Sequence, residues 1–156
     1  MTEDERKQWN ERACIPRCLV KLANKNGNSI NDDEFAKQIE HLFPNPKTDY
    51  GSFNIDASFF EIVSKLGLPT HREDSSDYSL IEHHFNTENH RCILVMSGIN
   101  LDPGQTNPGK HCSVLTKIDS KHFSVWTPYQ DGSDGPLDDL EKSVWTAKEC
   151  FGVVLS

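Results

Sequence analysis

The chain has 156 residues, the size of one ordinary domain, which is long enough to bury a core without disulfides or a structural metal. Sixteen basic residues against 24 acidic ones give a formal net charge of −8, so the surface repels nucleic acid and anionic lipid. The charged N-terminal residues contain no apolar run typical of a signal peptide, and no later stretch approaches the ~20 apolar residues of a membrane span. We therefore expect a single soluble domain over residues 1–156, with no nucleic-acid partner and no membrane span.

The five cysteines are odd in number and irregularly spaced, which does not fit a disulfide framework. A reducing compartment such as the cytoplasm is the expected location, and export would need a route without a signal peptide. Cys14 and Cys18 lie about one helical turn apart, and no matching second pair follows nearby. We therefore expect no metal site and no other cofactor.

The first half of the chain has the apolar spacing of helices. The predicted helices cover residues 15–23, 31–43, 56–67 and 77–85. Pro16 suits the first turn of the first helix, because its missing N–H would have no partner there. Asp56 is the predicted N-cap of the third helix, and Gly67 is its predicted C-terminal stop.

The second half has the pattern of strands. The predicted strands cover residues 91–98, 111–118, 123–129 and 150–155, and a short helix covers 137–145. The first strand is apolar without polar alternation, which is typical of a central strand covered on both faces. A loop rich in Gly, Pro and Asn over residues 99–110 leads into a hairpin of the next two strands. Helices followed by antiparallel strands make an α+β domain, with the N-terminal helices packed on the sheet.

Cys14 has the position expected of a nucleophile. A thiol attacks as thiolate, which the start of a helix and a neighbouring imidazolium both favour. Gln8, six residues earlier, could donate its amide to a developing oxyanion together with the backbone N–H of Cys14. The alternatives are that Cys14 is a small buried hydrophobe and that Gln8 is simply solvated. Cys18, one turn further, faces the packed side of the helix and is assigned to the core.

His111 is the candidate base among the seven histidines. The other six lie in polar helical or loop contexts that favour solvated roles. His111 follows the Gly/Pro loop and opens a strand, where a side chain at the rim of a sheet can reach a helix end. A strand-start histidine with a structural role only is the alternative.

These residues occur in the order of a known family. The segments that carry the pattern are "QWNERAC" followed by Pro16, "RCILVMSG" and "HCSVLTKIDSKHFSVWTP". Over nearly its whole length the chain resembles the papain-like cysteine peptidases, and most closely the compact branch of the bacteriocin-leader peptidases and their free-standing relatives. The resemblance implies a papain-like fold, with Cys14 as nucleophile, His111 as base and Gln8 as oxyanion donor.

The chain departs from that family at two positions. Ile15 stands where the branch usually has Gly, which crowds the oxyanion site but leaves the backbone N–H available. Thr127 stands where the branch has Asp before Pro. A turn centred near Asp119 would put position 127 opposite His111, so Thr127 is predicted to orient the imidazole without stabilising its charge as a carboxylate would. Asp131, four residues on, is the alternative third member of the site.

Two functions are compatible with these residues. One is a cysteine hydrolase acting on a peptide or amide bond, including glutamine deamidation or acyl transfer, as in papain-like bacterial toxins and effectors. Its partners would be a peptide or protein substrate and, for a toxin, an inhibitor or immunity protein. The other is a protein- or peptide-binding module that keeps the fold and has lost catalysis. The missing Asp favours the module, and the retained Gln8, Cys14 and His111 oppose it.

Overall fold

The computed structural model describes residues 2–42, 55–87, 92–97, 111–128 and 134–156. These residues form an α+β structure with six α-helices and one six-stranded antiparallel sheet. The helices are α1 Glu3–Arg12, α2 Cys14–Lys25, α3 Asp32–Ile39, α4 Ile55–Lys65, α5 Tyr78–Thr87 and α6 Lys142–Ala147. The strands are β1 Arg72–Ser75, β2 Ile93–Ser97, β3 His111–Ile118, β4 His122–Pro128, β5 Asp134–Glu141 and β6 Phe151–Leu155.

The sequence pattern does not predict α1, because its residues are almost all polar. Its start is nevertheless a capping box: the Thr2 hydroxyl accepts the Glu5 N–H at 3.2 Å, and the Glu5 carboxylate accepts the Thr2 N–H at 3.2 Å. The Thr-x-x-Glu spacing was the available signal. Trp9 anchors the helix, since it is fully buried and its Nε1–H donates to the Asp32 carboxylate at 3.3 Å.

Pro16 separates α1 from α2. A proline ring collides with the carbonyl four residues earlier, which here belongs to Arg12, and proline has no N–H to donate to it. The first helix therefore ends at Arg12, Ala13 takes φ −91° and ψ 43°, and a new helix begins at Cys14. Pro16 lies in the first turn of α2, where its missing N–H has no helical partner to lose. The predicted helix start near Pro16 is confirmed, with Cys14 as the first residue.

The other helices predicted in the first half are present with shifted ends. Asn31 caps α3, because its side chain accepts backbone N–H groups of the first turn. Position 43 of this predicted helix lies outside the described residues. The assignment of Asp56 as an N-cap is wrong, because α4 already includes Ile55. Gly67 does follow α4, with a φ of 68°, the left-handed conformation that ends many helices.

The strand order of the sheet is β1-β6-β2-β3-β4-β5, and every neighbouring pair is antiparallel. The predicted central strand is confirmed as β2, which has a partner on each side and five buried residues. The predicted hairpin is confirmed as β3 and β4, and the last predicted strand as β6. Strand β1 is short and polar at the edge of the sheet, so its sequence has no apolar alternation that would predict it.

The helix predicted over residues 137–145 is partly wrong. Residues up to Glu141 belong to β5, which pairs with the outer edge of β4 in a register that joins His122 to Glu141. Only Lys142–Ala147 forms the helix α6. The free edge of β4 offers a ladder of backbone hydrogen bonds to a segment whose own preference is weak, so pairing across the sheet decides the conformation.

Helices cover both faces of the sheet. On the first face, buried residues of α2, α3 and α4 share one hydrophobic core with residues of β2 and β3, and we call this the α2 face. On the second, which we call the α5 face, the rings of Tyr78, Phe123 and Trp145 meet edge to face with centroids 5.4 to 6.1 Å apart. Side chains alternate along a strand, so Cys112 of β3 projects to the α2 face and Leu115 to the α5 face.

Candidate active site

Cys14 lies at the N-terminus of α2 with its side chain partly exposed. Ala13, the N-cap residue, makes no side-chain hydrogen bond to the first turn. The backbone N–H of Ile15 interacts with the Cys14 sulfur. The thiol therefore lies in the positive field of a helix N-terminus, where a negative charge is favoured.

The Cys14 sulfur also approaches the start of β3. The backbone N–H of Cys112 forms a hydrogen bond with this sulfur that favours the thiolate. That N–H belongs to the peptide bond that joins His111 to Cys112. From standard bond lengths, the Cα of His111 is then within about 6 Å of the sulfur.

Burial dominates the electrostatics of the Cys14 thiol. Desolvation raises its pKa from 9.0 to about 12, and the neighbouring Cys112 thiol adds to the rise. The N–H groups of Cys112 and Ile15 and the charge of Arg17 lower this pKa with smaller effects. The thiol is therefore protonated at neutral pH in this arrangement, and its reaction requires a base.

Arg17 connects the first turn of α2 to the last turn of α1. It is a charged residue with only 7% of its surface exposed. Its Nη1 donates to the backbone carbonyl of Asn10 at 3.0 Å, where helix carbonyls lack partners within the helix. The same guanidinium lowers the pKa of Cys14. Sequence analysis did not identify Arg17, although its position three residues after Cys14, one helical turn away, was a signal for it.

His111 opens β3 and is buried, with 5% of its surface exposed. It pairs with Ser97 at the end of β2, and directly paired residues project to the same face of a sheet. The Ser97 hydroxyl donates to the thiol of Cys150, which belongs to the core of the α5 face. His111 therefore projects toward the α5 face, whereas Cys14 packs against the core of the α2 face.

The two residues of the predicted dyad thus approach each other around the end of β3. The Cys14 sulfur reaches the peptide bond after His111 from one face, and the imidazole projects to the other. Contact between sulfur and imidazole stays a prediction. It requires the first residue of β3 to turn its ring past the end of the strand.

The predicted pairing of Thr127 with His111 is wrong. Thr127 lies beside Ser113, two residues further along β3, and the two hydroxyl oxygens are 2.8 Å apart. The turn is centred beyond Asp119, because the Asp119 carboxylate accepts the N–H groups of the next turn residues and its own N–H donates to the His122 carbonyl at 2.8 Å. A β-bulge in β3 between Leu115 and Lys117 then moves the register by one residue.

The remaining predicted site residues are described in part or not at all. Gln8 lies in α1, and its side chain is outside the described residues. Asp131 also lies outside them. Ile15, which stands where the family that the sequence resembles usually has Gly, packs partly buried against the core of the α2 face.

Sequence reasoning named His111 and Thr127 but missed that they belong to a buried group of four polar side chains. This group consists of Ser97, His111, Ser113 and Thr127, each with at most 5% of its surface exposed. These residues lie near the strand ends of β2, β3 and β4 that are on the same side of the sheet. Each is a polar residue next to apolar neighbours in a strand, and that interruption was the available signal.

Cys18 has the core position that the sequence predicts. It is fully buried, and its Sγ–H donates to the Cys112 carbonyl at 3.3 Å, which ties α2 to β3. Cys112 is fully buried too, and desolvation raises its pKa. Within the part of the chain that the structure describes, no group of three or more His, Cys, Asp or Glu residues is placed to hold a metal ion.

Two comparisons of the sequence with known proteins found no match. No protein-family model matches the chain, and no curated protein matches it significantly. Among the described helices, none is both long and apolar enough to cross a membrane. Any function therefore has to follow from the chemistry of the site.

Proposed function

We propose that this protein is a cysteine hydrolase of papain-like fold that cleaves a peptide or amide bond, with Cys14 as nucleophile and His111 as base. The proposal is carried by the approach of the Cys14 sulfur, at a helix N-terminus, to the backbone N–H that follows His111. A thiol and an imidazole-bearing residue at the same end of the sheet are the minimum that such a hydrolase needs.

In the proposed reaction, His111 takes the proton of the Cys14 thiol while the sulfur attacks the substrate carbonyl carbon. The resulting oxyanion is held by the backbone N–H of Cys14 and the side-chain amide of Gln8. The tetrahedral intermediate collapses to a thioester as His111 gives the proton to the leaving amine. Water, deprotonated by His111, then releases the acyl group and restores the thiol. An amine in place of water gives acyl transfer, and a glutamine side chain as substrate gives deamidation.

The raised pKa of the thiol defines how His111 has to act. Because burial raises the pKa of Cys14 to about 12, the resting thiol is protonated at neutral pH and is not held as a thiolate–imidazolium pair. His111 then acts as a general base during the attack itself. The buried hydroxyls around His111 do not stabilise imidazolium as a carboxylate does, so we expect slow turnover.

A protein- or peptide-binding module is the second candidate. Two observations favour it: burial raises the pKa of Cys14, and Thr127 is bonded to Ser113 in the segment where the related family carries its carboxylate. In such a module Cys14 and His111 have structural roles only, and neither one reacts.

Acylation by p-nitrophenyl acetate separates the two candidates. Trypsin places each cysteine in a different peptide, and Cys14 falls in residues 13–17. For the hydrolase, we expect Cys14 to gain an acetyl group as p-nitrophenolate is released, and His111→Gln to slow this step by about 100-fold or more. Acid-quenched digests read by mass spectrometry give the rate at each cysteine. Equal rates for Cys14 in the wild type and in His111→Gln would support the module.

Cys18→Ala is the matched control for Cys14→Ala, because Cys18 lies on the same helix one turn further and is fully buried. We expect Cys18→Ala to retain acylation at Cys14 and to lower the free energy of unfolding by about 1–2 kcal/mol. Cys14→Ala should release no burst of p-nitrophenolate, and its free energy of unfolding should match that of the wild type. The reverse pattern would mean that Cys18 is the nucleophile.

A further inference from the structure

A row of three buried side chains crosses the sheet at the end where His111 lies. Cys150 directly precedes β6, Ser97 is the last residue of β2, and His111 is the first of β3, so the row spans the ends of three neighbouring strands. Each side chain has at most 5% of its surface exposed. Ser97 is the direct ladder partner of His111, and its hydroxyl donates to the Cys150 sulfur.

This arrangement makes Ser97 the hydroxyl best placed to bind the imidazole. Directly opposed residues on one face of an antiparallel pair have Cβ atoms about 4.5–5.5 Å apart, which suits a bond from an imidazole N–H to a serine oxygen. Thr127 lies beside Ser113, one row further along the sheet, so it is only a diagonal neighbour of His111 at about 7–8 Å. The hydroxyls of Thr127 and Ser113 are bonded to each other at 2.8 Å.

We propose that Ser97 is the positioning residue of His111. The Ser97 oxygen accepts the N–H of one imidazole nitrogen while its own O–H points to the Cys150 sulfur. A serine hydroxyl has one donor and two acceptor sites, so both bonds exist together. The bond fixes the tautomer of His111 and leaves the other ring nitrogen free of a proton, which is the form that a general base needs.

Cys150 sets the direction of this hydroxyl. A thiol at this position accepts the Ser97 O–H and so turns the serine lone pairs toward β3. Burial raises the pKa of Cys150, so the thiol stays neutral and adds no charge beside the imidazole. The catalytic consequence of the Ser97–His111 bond rests on the proposed function, whereas the bond itself does not.

Nitrogen-15 NMR of histidine-labelled protein tests the proposal, because the ring nitrogen shifts report which nitrogen carries the proton. We expect His111 to be a single tautomer in the wild type and a mixture in Ser97→Ala. Ser97→Thr keeps the hydroxyl and should restore the single tautomer. His111→Gln identifies the signal among the seven histidines. An unchanged His111 signal in Ser97→Ala would overturn the proposal.

Ser113→Ala is the matched control, since Ser113 is a buried serine on the same strand two residues from His111. It should leave the His111 tautomer unchanged, and an equal change in both variants would count against a specific role for Ser97. We also expect Ser97→Ala to slow acylation of Cys14 by about tenfold or more. A tautomer that depends on Ser97 in a protein that never acylates Cys14 would reject the hydrolase and keep the positioning role. If Cys14 is acylated normally and Ser97→Ala changes neither the tautomer nor the rate, the hydrolase proposal stands and the positioning role of Ser97 is rejected.

Discussion

The Thr127 hydroxyl lies 2.8 Å from the Ser113 hydroxyl, and both side chains are buried. Each hydroxyl provides the hydrogen-bond partner that the other needs where water does not reach. Thr127 therefore has a structural partner of its own and does not lie opposite His111.

Thr127→Val should lower the free energy of unfolding by about 1–3 kcal/mol, because it leaves the buried Ser113 hydroxyl without this partner. Ser113→Ala combined with Thr127→Val removes both polar groups and should cost less than the sum of the two single changes. Urea denaturation of the four proteins gives the coupling energy. Additive costs would show that the two hydroxyls do not depend on each other.

The hairpin of β3 and β4 shows that its strands could be predicted from the sequence and that their register could not. Alternating apolar residues and turn residues predict β3 and β4, because strand formation leaves a local pattern. Their register is set by side-chain bonds of Asp119 to the turn and by a bulge, neither of which has a local apolar signature. Because the turn is centred later than the sequence predicts, Thr127 lies beside Ser113 and not opposite His111.

Elsewhere in the fold, too, features with a local cause are predictable from the sequence, and features that depend on distant contacts are not. The start of α2 at Cys14 is predictable, since Pro16 acts on the backbone of its own helix. The polar helix α1 depends on the distant contact of Trp9 with Asp32, and β5 depends on the open edge of β4. The position of Ser97 beside His111 follows from strand pairing and was not available from spacing along the chain.

Pro16→Ala should slow acylation of Cys14 by about 100-fold. Alanine has a backbone N–H and no ring to collide with the Arg12 carbonyl, so α1 can continue into α2. Cys14 would then lie inside a long helix and no longer at a helix N-terminus. Helicity measured by circular dichroism should rise at the same time. Pro69→Ala is the control, since Pro69 lies beyond the end of α4 and outside every helix. Unchanged acylation in Pro16→Ala would show that tertiary contacts alone hold the break at Ala13.

Stability should fall as the pH rises above about 9, and Cys14 should contribute to this loss. The folded pKa of Cys14 is raised from 9.0 to about 12, so between these values the unfolded chain loses the thiol proton and the folded protein keeps it. The folded state then binds more protons, and the free energy of unfolding decreases with pH. Urea midpoints from pH 7.5 to 10.5 should therefore fall less steeply in Cys14→Ala than in the wild type. Parallel pH curves for the two proteins would contradict this.

Arg17→Met should lower the free energy of unfolding by about 1.5–3 kcal/mol, because it removes a charged donor from the Asn10 carbonyl at the end of α1. It should also raise the pKa of Cys14 further, since the guanidinium favours the thiolate. The pH dependence of Cys14 alkylation by iodoacetamide measures that shift. Arg6→Met removes a half-exposed ion pair with Asp33 and should cost less than about 1 kcal/mol, without altering the alkylation profile.

The insertion of β6 between β1 and β2 has a consequence for protein synthesis. Both neighbouring strands leave the ribosome before β6 exists, so each presents an open edge to the cell until residue 155 has been made. The fully buried β2 is the more hazardous of the two, because an apolar strand with a free edge recruits other chains. A nascent chain is therefore most prone to aggregate while β2 lacks β6, and chaperone dependence should be greatest in that interval.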